Sequence, residues 1–178
     1  MTQPPIATLF LDRDGVLNRR IVDDYVTCRD EFEILPGVPS SLRALQEAGF
    51  RLVVVTNQRG IAVGRMTRAA VDDVHVYLNQ HLAEVGATID AFYVCPHDRH
   101  VGCPCRKPAP GLLDQAHRDQ PVDWAASYLI GDSDSDIAAG RARGVTTLKV
   151  AGEGDGTADW MVPDIAAATA KILAHQNG

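Results

Sequence analysis

The sequence predicts an α/β fold, a three-layer, Rossmann-like arrangement in which helices cover both faces of a parallel sheet. Apolar, β-branched runs alternate along the chain with segments of helical spacing. Several of these runs end abruptly in polar residues, as strands do at the ligand-binding edge of such sheets. The chain has 178 residues, enough for a full core, and we expect residues 1–178 to form one domain.

Six apolar runs predict the strands, and five helically spaced segments predict the helices. We expect strands at 6–11, 51–55, 89–94, 127–130, 145–150 and 158–162, and helices at 39–48, 67–85, 111–118, 137–142 and 164–174. Ser40 or Ser41 is a candidate cap for the first helix, and Thr67 and Asp164 begin the second and the last. Residues 152–156 are rich in glycine but lack the spacing of a nucleotide-binding loop, so we expect a connector there.

Composition and charge exclude several classes of function. The net charge is −6 and the isoelectric point is about 5.4, which argues against non-specific binding to nucleic acid or to anionic membranes. No apolar run approaches the ~20 residues of a membrane span, and the N-terminus lacks the pattern of a secretory signal. We therefore expect a cytoplasmic monomer, in a compartment that keeps its four cysteines reduced.

Two aspartates directly follow the first predicted strand. Alternation along an extended chain places the side chains of Asp12 and Asp14 on the same side, with Arg13 opposite. Gly15 then lets the backbone turn away. Because two carboxylates this close repel each other, a hard cation such as Mg²⁺ would stabilise the pair. The alternative is a solvated acidic turn, and the other strand ends argue against it.

Polar groups also follow the second and fourth predicted strands. They are Thr56 and Asn57 after the second strand, and Asp132 and Asp136 after the fourth. Lys107 follows a cysteine-rich segment. A hydroxyl, a lysine and an acidic cation site are the groups that phosphoryl transfer needs, because the cation and the lysine neutralise the phosphoryl oxygens while a carboxylate attacks in line.

Four short motifs, in their order and spacing, resemble those of the haloacid dehalogenase-like (HAD) phosphatases. They are Asp12-x-Asp14-Gly, Thr56-Asn57, Lys107-Pro108 and Gly131-Asp132-x-x-x-Asp136, and the resemblance covers residues 6–150. It implies that Asp12 is a nucleophile that forms an aspartyl phosphate. It implies that Asp14 protonates the leaving alcohol and then activates water. Thr56 and Lys107 would hold the phosphoryl oxygens.

The same resemblance implies a magnesium site and an open cavity. Mg²⁺ would be bound by Asp12, the backbone carbonyl of Asp14, and Asp132. Asp136 lies one helical turn beyond Asp132 and either orders the water around the metal or only caps the helix. The segment between the second and third predicted strands is too short for a large cap domain, so loops are expected to shape the site.

A second cluster of metal-ligating side chains lies in residues 95–105. Its members are Cys95, His97, Cys103 and Cys105. Three thiolates and one imidazole suit a closed tetrahedral Zn²⁺ site, which would be structural and would aim Arg106 and Lys107. The alternatives are buried thiols or a disulfide, which the density of ligands and the expected reducing compartment disfavour. Cys28 is expected to be a loop or core thiol. The other histidines are expected at the surface, namely His75, His81, His100, His117 and His175.

The zinc loop directly before Arg106-Lys107-Pro108 narrows the resemblance to one branch of the family. This branch contains D-glycero-D-manno-heptose 1,7-bisphosphate phosphatases and the related histidinol-phosphatase domains, and stretches 12–18, 56–62 and 105–108 look most like the heptose enzymes. The resemblance implies removal of the 7-phosphate from the heptose bisphosphate. The residues expected to contact that sugar phosphate are Asp24, Tyr25, Asn57, Gln58, Arg59 and Arg106.

A bisphosphate substrate needs a second anion site away from the metal. Arg106 is the first candidate, through bidentate contacts with the distal phosphate. Val63 stands where the heptose enzymes often carry arginine, so Arg59 or Arg65 is expected to assist. The alternative for both is a solvated surface charge.

Three other functions stay open from the sequence. Histidinol phosphate or another small ester is an alternative substrate, and transfer to an alcohol other than water would make the protein a phosphotransferase. A phosphate-binding protein without turnover is the third possibility. The presence together of Asp12, Asp14, Lys107 and Asp132 argues against that last one.

Overall fold

The computed structural model describes residues 4–150 and 157–176. Its six strands form one parallel sheet in the order β3-β2-β1-β4-β5-β6. The strands are β1 (Thr8–Leu11), β2 (Arg51–Asn57), β3 (Ala91–Cys95), β4 (Tyr128–Gly131), β5 (Thr146–Val150) and β6 (Trp160–Val162). The chain order reverses direction across the sheet between β1 and β4, which places a crevice at their carboxyl ends.

Five helices connect or follow the strands. They are α1 (Val38–Glu47), α2 (Arg68–Ala83), α3 (Gly111–Asp119), α4 (Asp134–Arg141) and α5 (Ile165–Gln176), and a short 3-10 turn covers Arg29–Glu31. Side chains of β1 alternate between the two faces of the sheet. Leu9 and Leu11 pack with apolar residues of α1, α2 and α5, whereas Phe10 packs with those of α3 and α4. The predicted three-layer α/β fold is confirmed.

The predicted boundaries need several small corrections. β2 runs on through Asn57, and the residue that caps α1 is Gly37 rather than Ser40 or Ser41. Gly37 is preferred because its φ of 80° closes the turn before the helix, a conformation that serine rarely adopts. The Thr67 hydroxyl does cap α2, accepting from the Ala70 N–H. The predicted connector at 152–156 lies outside the described residues.

The segment between β2 and β3 contains turns and the single helix α2 across residues 58–90. It therefore leaves the carboxyl edge of the sheet accessible, as expected for a fold without a large cap domain. Among residues 4–150 and 157–176, no helix has both the length and the apolar character required to span a bilayer.

Candidate active site

Three carboxylates meet at the carboxyl ends of β1 and β4. They belong to Asp12, Asp132 and Asp136, and one oxygen from each lies within 4.8 Å of the others. They meet because β1 and β4 pair in parallel as neighbours, so their carboxyl ends share one edge. Gly15 permits the close approach. Its φ is 92°, and a Cβ atom at this position would overlap the Asp132 carboxylate.

Lys107 supplies the positive charge in this cluster. Its ammonium nitrogen lies 2.7 Å from Asp12 Oδ1 and 2.5 Å from Asp136 Oδ1, and it donates to the Val55 carbonyl over 2.8 Å. The Asn57 side chain fixes the Lys107 backbone through two hydrogen bonds of 3.1 Å, one to the carbonyl and one from the N–H. Asn57 lines the cavity, but both ends of its amide group are used to position the Lys107 backbone.

The cluster holds more negative than positive charge. Burial and the carboxylate of Asp136 raise the pKa of Asp12 to about 8, against the opposing effect of Lys107. Burial and Asp136 also raise the pKa of Asp132. Burial acts to lower the pKa of Lys107, but Asp12 and Asp136 outweigh it, so that pKa is raised and the ammonium stays charged. A divalent cation with oxygen ligands fits this excess of buried carboxylates.

Asp136 is held from two sides. Its Oδ2 accepts a hydrogen bond from the Ser133 N–H over 3.1 Å, which is one half of the capping box of α4, and a further one from the Ser133 hydroxyl over 2.6 Å. Its Oδ1 faces Lys107. The structure therefore contains the helix cap, one of the two alternatives that the sequence left open, and adds an ion pair that the sequence did not predict.

Asp14 lies in a separate set of contacts. Its carboxylate accepts hydrogen bonds from Arg13 over 2.9 and 3.0 Å, from Asn18 over 2.9 Å and from Gln58 over 2.8 Å. Burial acts to raise the pKa of Asp14, but these donors outweigh burial and lower it. The prediction that Arg13 points away was wrong. A buried guanidinium needs a counter-charge, so the Arg13 side chain bends back to Asp14.

Gln58 connects Asp14 to the end of β2. Its amide nitrogen donates to Asp14 and, over 2.7 Å, to the Thr56 hydroxyl, and both Gln58 and Thr56 are buried. Gln58 lines the cavity, whereas Thr56 is buried beside it and is not among the lining residues. The predicted contact of Thr56 with a phosphoryl group stays a prediction.

The carboxylates form the floor of a cavity of about 350 Å³. Its rim comes from the loop between β1 and α1, the turn after β2 and the loop at 95–105. Four arginines line it, namely Arg20, Arg59, Arg99 and Arg106. An acidic floor that suits a cation, beneath a basic rim that suits a second anion, is the arrangement expected for a substrate with two phosphates.

Contacts between loops fix two of the rim arginines. Arg59 Nε donates to Asp98 over 2.8 Å, and its Nη1 lies 3.5 Å from the Tyr25 hydroxyl. Arg106 Nη1 donates to the His97 carbonyl over 3.3 Å. Two successive residues of the loop at 95–105, His97 and Asp98, therefore supply the acceptors for these arginines.

The sequence did not single out Arg20 or Arg99 at the rim. Arg20 Nη1 lies 3.2 Å from Asp132 Oδ2, at the edge of the carboxylate cluster. Asp24 lines the cavity, and Arg65 pairs with it from outside over 3.0 Å, which favours the surface-charge alternative for Arg65. Arg20 and Arg99 lie in loops without a periodic pattern, so the sequence carries no signal that marks them.

The cysteine cluster has the dimensions of a tetrahedral metal site. The three Sγ–Sγ distances are 3.4, 3.5 and 3.7 Å, and His97 Nδ1 lies 3.2 Å from Cys105 Sγ and 3.7 Å from Cys95 Sγ. Ligand atoms around a tetrahedral Zn²⁺, with bonds of about 2.0–2.3 Å, are about 3.3–3.8 Å apart. The four side chains therefore fit zinc. Cys28 is exposed and lies apart from them.

His75 contradicts the prediction that it lies at the surface. It is 4% exposed on the inner face of α2, and its ring stacks on Phe92 with centroids 4.2 Å apart. Burial, followed by the charge of Arg13, lowers the pKa of His75 to about 3. Its position four residues after Val71 and three before Leu78 gives the helical spacing of the core, a signal that marks it as buried.

Sequence comparison places the chain in a family. It is 39% identical over 180 aligned residues to the D-glycero-beta-D-manno-heptose-1,7-bisphosphate 7-phosphatase of Yersinia pestis, and the match covers 93% of this chain and 94% of that relative. The chain belongs to the HAD-like heptose-bisphosphate phosphatase family. The D-glycero-alpha-D-manno-heptose-1,7-bisphosphate 7-phosphatase of Mycobacterium bovis is 47% identical over 130 residues, which cover 72% of this chain and 68% of that relative.

Structure comparison agrees with this family. The D,D-heptose 1,7-bisphosphate phosphatase from B. bronchiseptica, solved in complex with magnesium and phosphate, superposes with a TM-score of 0.86 at 32% identity. The match covers 96% of this chain and 99% of that chain. A family model described as "HAD-hyrolase-like" matches residues 104–173, which include Lys107, Asp132 and Asp136. The family resemblance stated from the four motifs is confirmed.

Proposed function

We propose that the protein is a Mg²⁺-dependent phosphatase that removes the 7-phosphate of D-glycero-D-manno-heptose 1,7-bisphosphate. One observation carries the proposal: the buried carboxylates of Asp12 and Asp136, the partly buried carboxylate of Asp132 and the buried Lys107 form the floor of a cavity whose rim holds four arginines. Two relatives at 39% and 47% identity bear the name of this activity, one for each anomer, which supports the same substrate class.

Asp12 is the proposed nucleophile. Its carboxylate attacks phosphorus in line, an O–P bond forms, and the bond to the sugar oxygen breaks to give an aspartyl phosphate. Lys107, 2.7 Å away, opposes the rise in the pKa of Asp12 that burial and Asp136 cause, and together with a bound cation it would favour the ionised, attacking carboxylate. It would also balance charge on the phosphoryl oxygens. Thr56 would donate a hydrogen bond from its hydroxyl to a phosphoryl oxygen.

Asp14 is the proposed general acid and base. It would give a proton to the departing sugar oxygen and then take one from the water that hydrolyses the aspartyl phosphate. Burial acts to raise the pKa of Asp14, but the charge of Arg13 and the hydrogen bonds from Asn18, Arg13 and Gln58 outweigh burial and lower that pKa in the free protein. The negative charge of an arriving phosphate acts in the opposite direction, raising that pKa and favouring protonation of Asp14 in the complex.

Asp12, Asp132 and the backbone carbonyl of Asp14 are the proposed ligands for Mg²⁺, with Asp136 in the same cluster. The fit rests on the excess of buried carboxylates, which raises the pKa of Asp12 and of Asp132. A bound Mg²⁺ would neutralise charge on the phosphoryl oxygens during transfer.

We also propose that Cys95, His97, Cys103 and Cys105 hold a structural Zn²⁺. Four protein ligands at tetrahedral spacing leave no position for substrate, so the metal would act on folding. The metal would fix the conformation of the loop that leads into Arg106 and Lys107. We also propose that residues 1–178 form a single domain. The cytoplasmic location and the monomeric state stay predictions from the sequence.

Arg106 and Arg59 are the proposed ligands for the distal 1-phosphate. Both line the cavity, and each is oriented by an acceptor from the loop at 95–105. Tyr25 and Asp24 line the same wall and would contact the sugar hydroxyls. Asn57 and Gln58 are committed to Lys107 and Asp14, so they act on the substrate mainly by positioning those two residues.

Phosphate release with Mg²⁺ tests this function on four substrates: the heptose 1,7-bisphosphate of each anomer, histidinol phosphate, and an aryl phosphate. We expect strong preference for one heptose bisphosphate, and loss of release on chelation of Mg²⁺. Preference for histidinol phosphate would keep the chemistry and overturn the substrate. Transfer to an added alcohol in place of water would indicate a phosphotransferase. A folded protein that releases phosphate from none of the four would contradict the proposal.

A further inference from the structure

A buried arginine lies directly behind Asp14. Arg13 is 0% exposed, and its Nη2 donates to both oxygens of the Asp14 carboxylate. Its Nε and Nη1 are also buried, and neither has a hydrogen-bond partner within residues 4–150 and 157–176. The carbon at the centre of the guanidinium lies 5.9 Å from the centre of the Phe32 ring. Buried donors on a cation are costly to leave unpaired, so these two nitrogens require an acceptor.

The neighbouring helix offers an acceptor of the right kind. His75 projects inward from α2, and its Nε2 is buried and also lacks a partner in the described part of the chain. Arg13 is the charge with the largest effect on the pKa of His75, and with burial it keeps the imidazole neutral. A neutral imidazole has one unprotonated nitrogen, which accepts a hydrogen bond. Phe32, against which Arg13 lies, and Phe92, on which His75 stacks, pack in the same apolar cluster, so the unpaired donors and the unpaired acceptor border one buried region.

We propose that His75 is a positioning residue for Asp14: its Nε2 accepts a hydrogen bond from one buried water that Arg13 donates to, and so fixes the guanidinium that holds the Asp14 carboxylate. This inference rests on the proposed phosphatase function, in which Asp14 handles the proton of the leaving group. Stacking on Phe92 fixes the imidazole plane, so the acceptor nitrogen keeps a defined direction.

The role predicts an effect that depends on the leaving group. A sugar alkoxide is strongly basic and needs a proton from Asp14 as it departs, whereas an activated phenolate departs without one. Loosening Arg13 should therefore slow hydrolysis of the sugar phosphate and leave hydrolysis of an activated aryl phosphate nearly unchanged. A residue that only supports the fold would affect both substrates by the same factor.

The test variant is His75→Phe, which keeps a flat ring against Phe92 and removes the acceptor nitrogen. We expect kcat to fall about tenfold for the heptose bisphosphate and less than about twofold for the aryl phosphate. His75→Gln keeps an acceptor, and we expect it to recover part of the loss. His81→Phe is the matched control, because His81 lies on the same helix and its ring hydrogen-bonds to the Tyr77 carbonyl of that helix. We expect both rates to stay as in the wild type.

Equal losses on both substrates in His75→Phe, or no loss on either, would overturn the positioning role. If His75→Phe does not fold, the ratio of the two rates in His75→Gln decides instead, and an unchanged ratio with lower kcat on both substrates overturns it. A wild type that hydrolyses neither substrate refutes the proposed function, and the positioning role with it.

An NMR measurement separates the contact from the activity. In the wild type we expect a slowly exchanging Arg13 Nε–H or Nη1–H signal, and an unprotonated His75 Nε2, whether or not substrate turns over. In His75→Phe that Arg13 signal should exchange faster. An Arg13 signal unaltered by the variant would overturn the hydrogen bond even in an active enzyme.

Discussion

The charged groups at the floor of the cavity are mostly buried and meet at the carboxyl edge of the sheet, whereas those at the rim are partly exposed and lie on loops. The side chains of Lys107 and Asp136 are 2% and 1% exposed, but those of Arg59 and Arg20 are 32% and 62% exposed. Buried ion pairs are strongly coupled to the fold, and breaking one costs about 3–5 kcal/mol, while exposed pairs contribute about 0–1 kcal/mol. We infer that the floor fixes the reaction and the rim selects the substrate.

The largest effect is expected from the floor. Asp12→Asn removes the nucleophile but keeps the size of the side chain, so turnover should fall by about 10⁴-fold or more while the fold persists. Steady-state phosphate release measures the loss, and circular dichroism with thermal unfolding checks the fold. A variant with near wild-type turnover would exclude Asp12 as the nucleophile and remove the distinction between floor and rim.

Lys107→Met should damage both activity and stability. It leaves Asp12 and Asp136 buried without their counter-charge, so we expect turnover to fall about 10²- to 10³-fold and the free energy of unfolding to fall by about 3–5 kcal/mol. Denaturant unfolding measures the second quantity. Adding Asp136→Asn to this variant should restore part of the stability but not the turnover. Recovery of both together would mean that the lysine serves the fold alone.

The loop at 95–105 contains Arg99 at the rim and leads into Lys107 at the floor of the cavity. Cys105→Ser tests the zinc site proposed in this loop. We expect loss of bound zinc and a decrease in the melting temperature of about 5 °C or more, because the metal ties together a loop with little core of its own. Elemental analysis and thermal unfolding check this outcome. Cys28→Ser is the matched control, since Cys28 is exposed and outside the cluster. Equal zinc content in the two variants would rule out the proposed site.

At the rim, Arg106→Gln should alter selectivity. We expect KM for the heptose bisphosphate to rise about tenfold, and KM for a small aryl phosphate to change less than about twofold, since the latter has no distal phosphate. Arg118→Gln, an exposed arginine at the end of α3, is the control for loss of one positive charge. If Arg106→Gln lowers activity equally on both substrates, the rim does not select the bisphosphate.

The pH dependence of the free energy of unfolding tests whether His75 is buried and neutral in the folded protein. The pKa of His75 is 6.5 in its ordinary state and about 3 in the folded protein. Below pH 6.5 the unfolded chain binds a proton that the folded chain excludes, so stability falls by up to about 1.4 kcal/mol per pH unit. Between pH 7 and pH 5 the wild type should therefore lose about 2 kcal/mol more than His75→Phe. Identical losses in denaturant unfolding would mean that His75 is accessible to protons.

The floor was largely predictable from the sequence, because parallel strands bring their carboxyl ends to one edge whatever the loops do. The convergence of Asp12 with Asp132 follows from that rule, and the motif order located Lys107. The side-chain contacts of Arg13 and Gln58 were not predictable, since they depend on which donors the fold brings to Asp14. His75 was missed although its spacing on α2 marks a core position, because histidine is polar and its burial here comes from tertiary packing, with its ring stacked on Phe92.

The rim was predictable only as a set of loops. Arg20 and Arg99 lie in segments whose conformation comes from contacts between loops, and such contacts leave no periodic pattern in the sequence. Arg59 and Arg65 looked equivalent by position, yet Arg59 lines the cavity and Arg65 pairs with Asp24 outside it. The difference arises from Asp98 and Tyr25, which hold Arg59 against the wall.

The central claim is that Asp12 carries the phosphoryl group during turnover. Its most direct test is rapid acid quenching of the protein with Mg²⁺ and a heptose bisphosphate labelled at the 7-phosphate, followed by peptide mapping. We predict that the label is trapped on the peptide that contains Asp12 and is absent from Asp12→Asn. Sustained phosphate release with no labelled peptide, or with the label on another residue, would contradict the account.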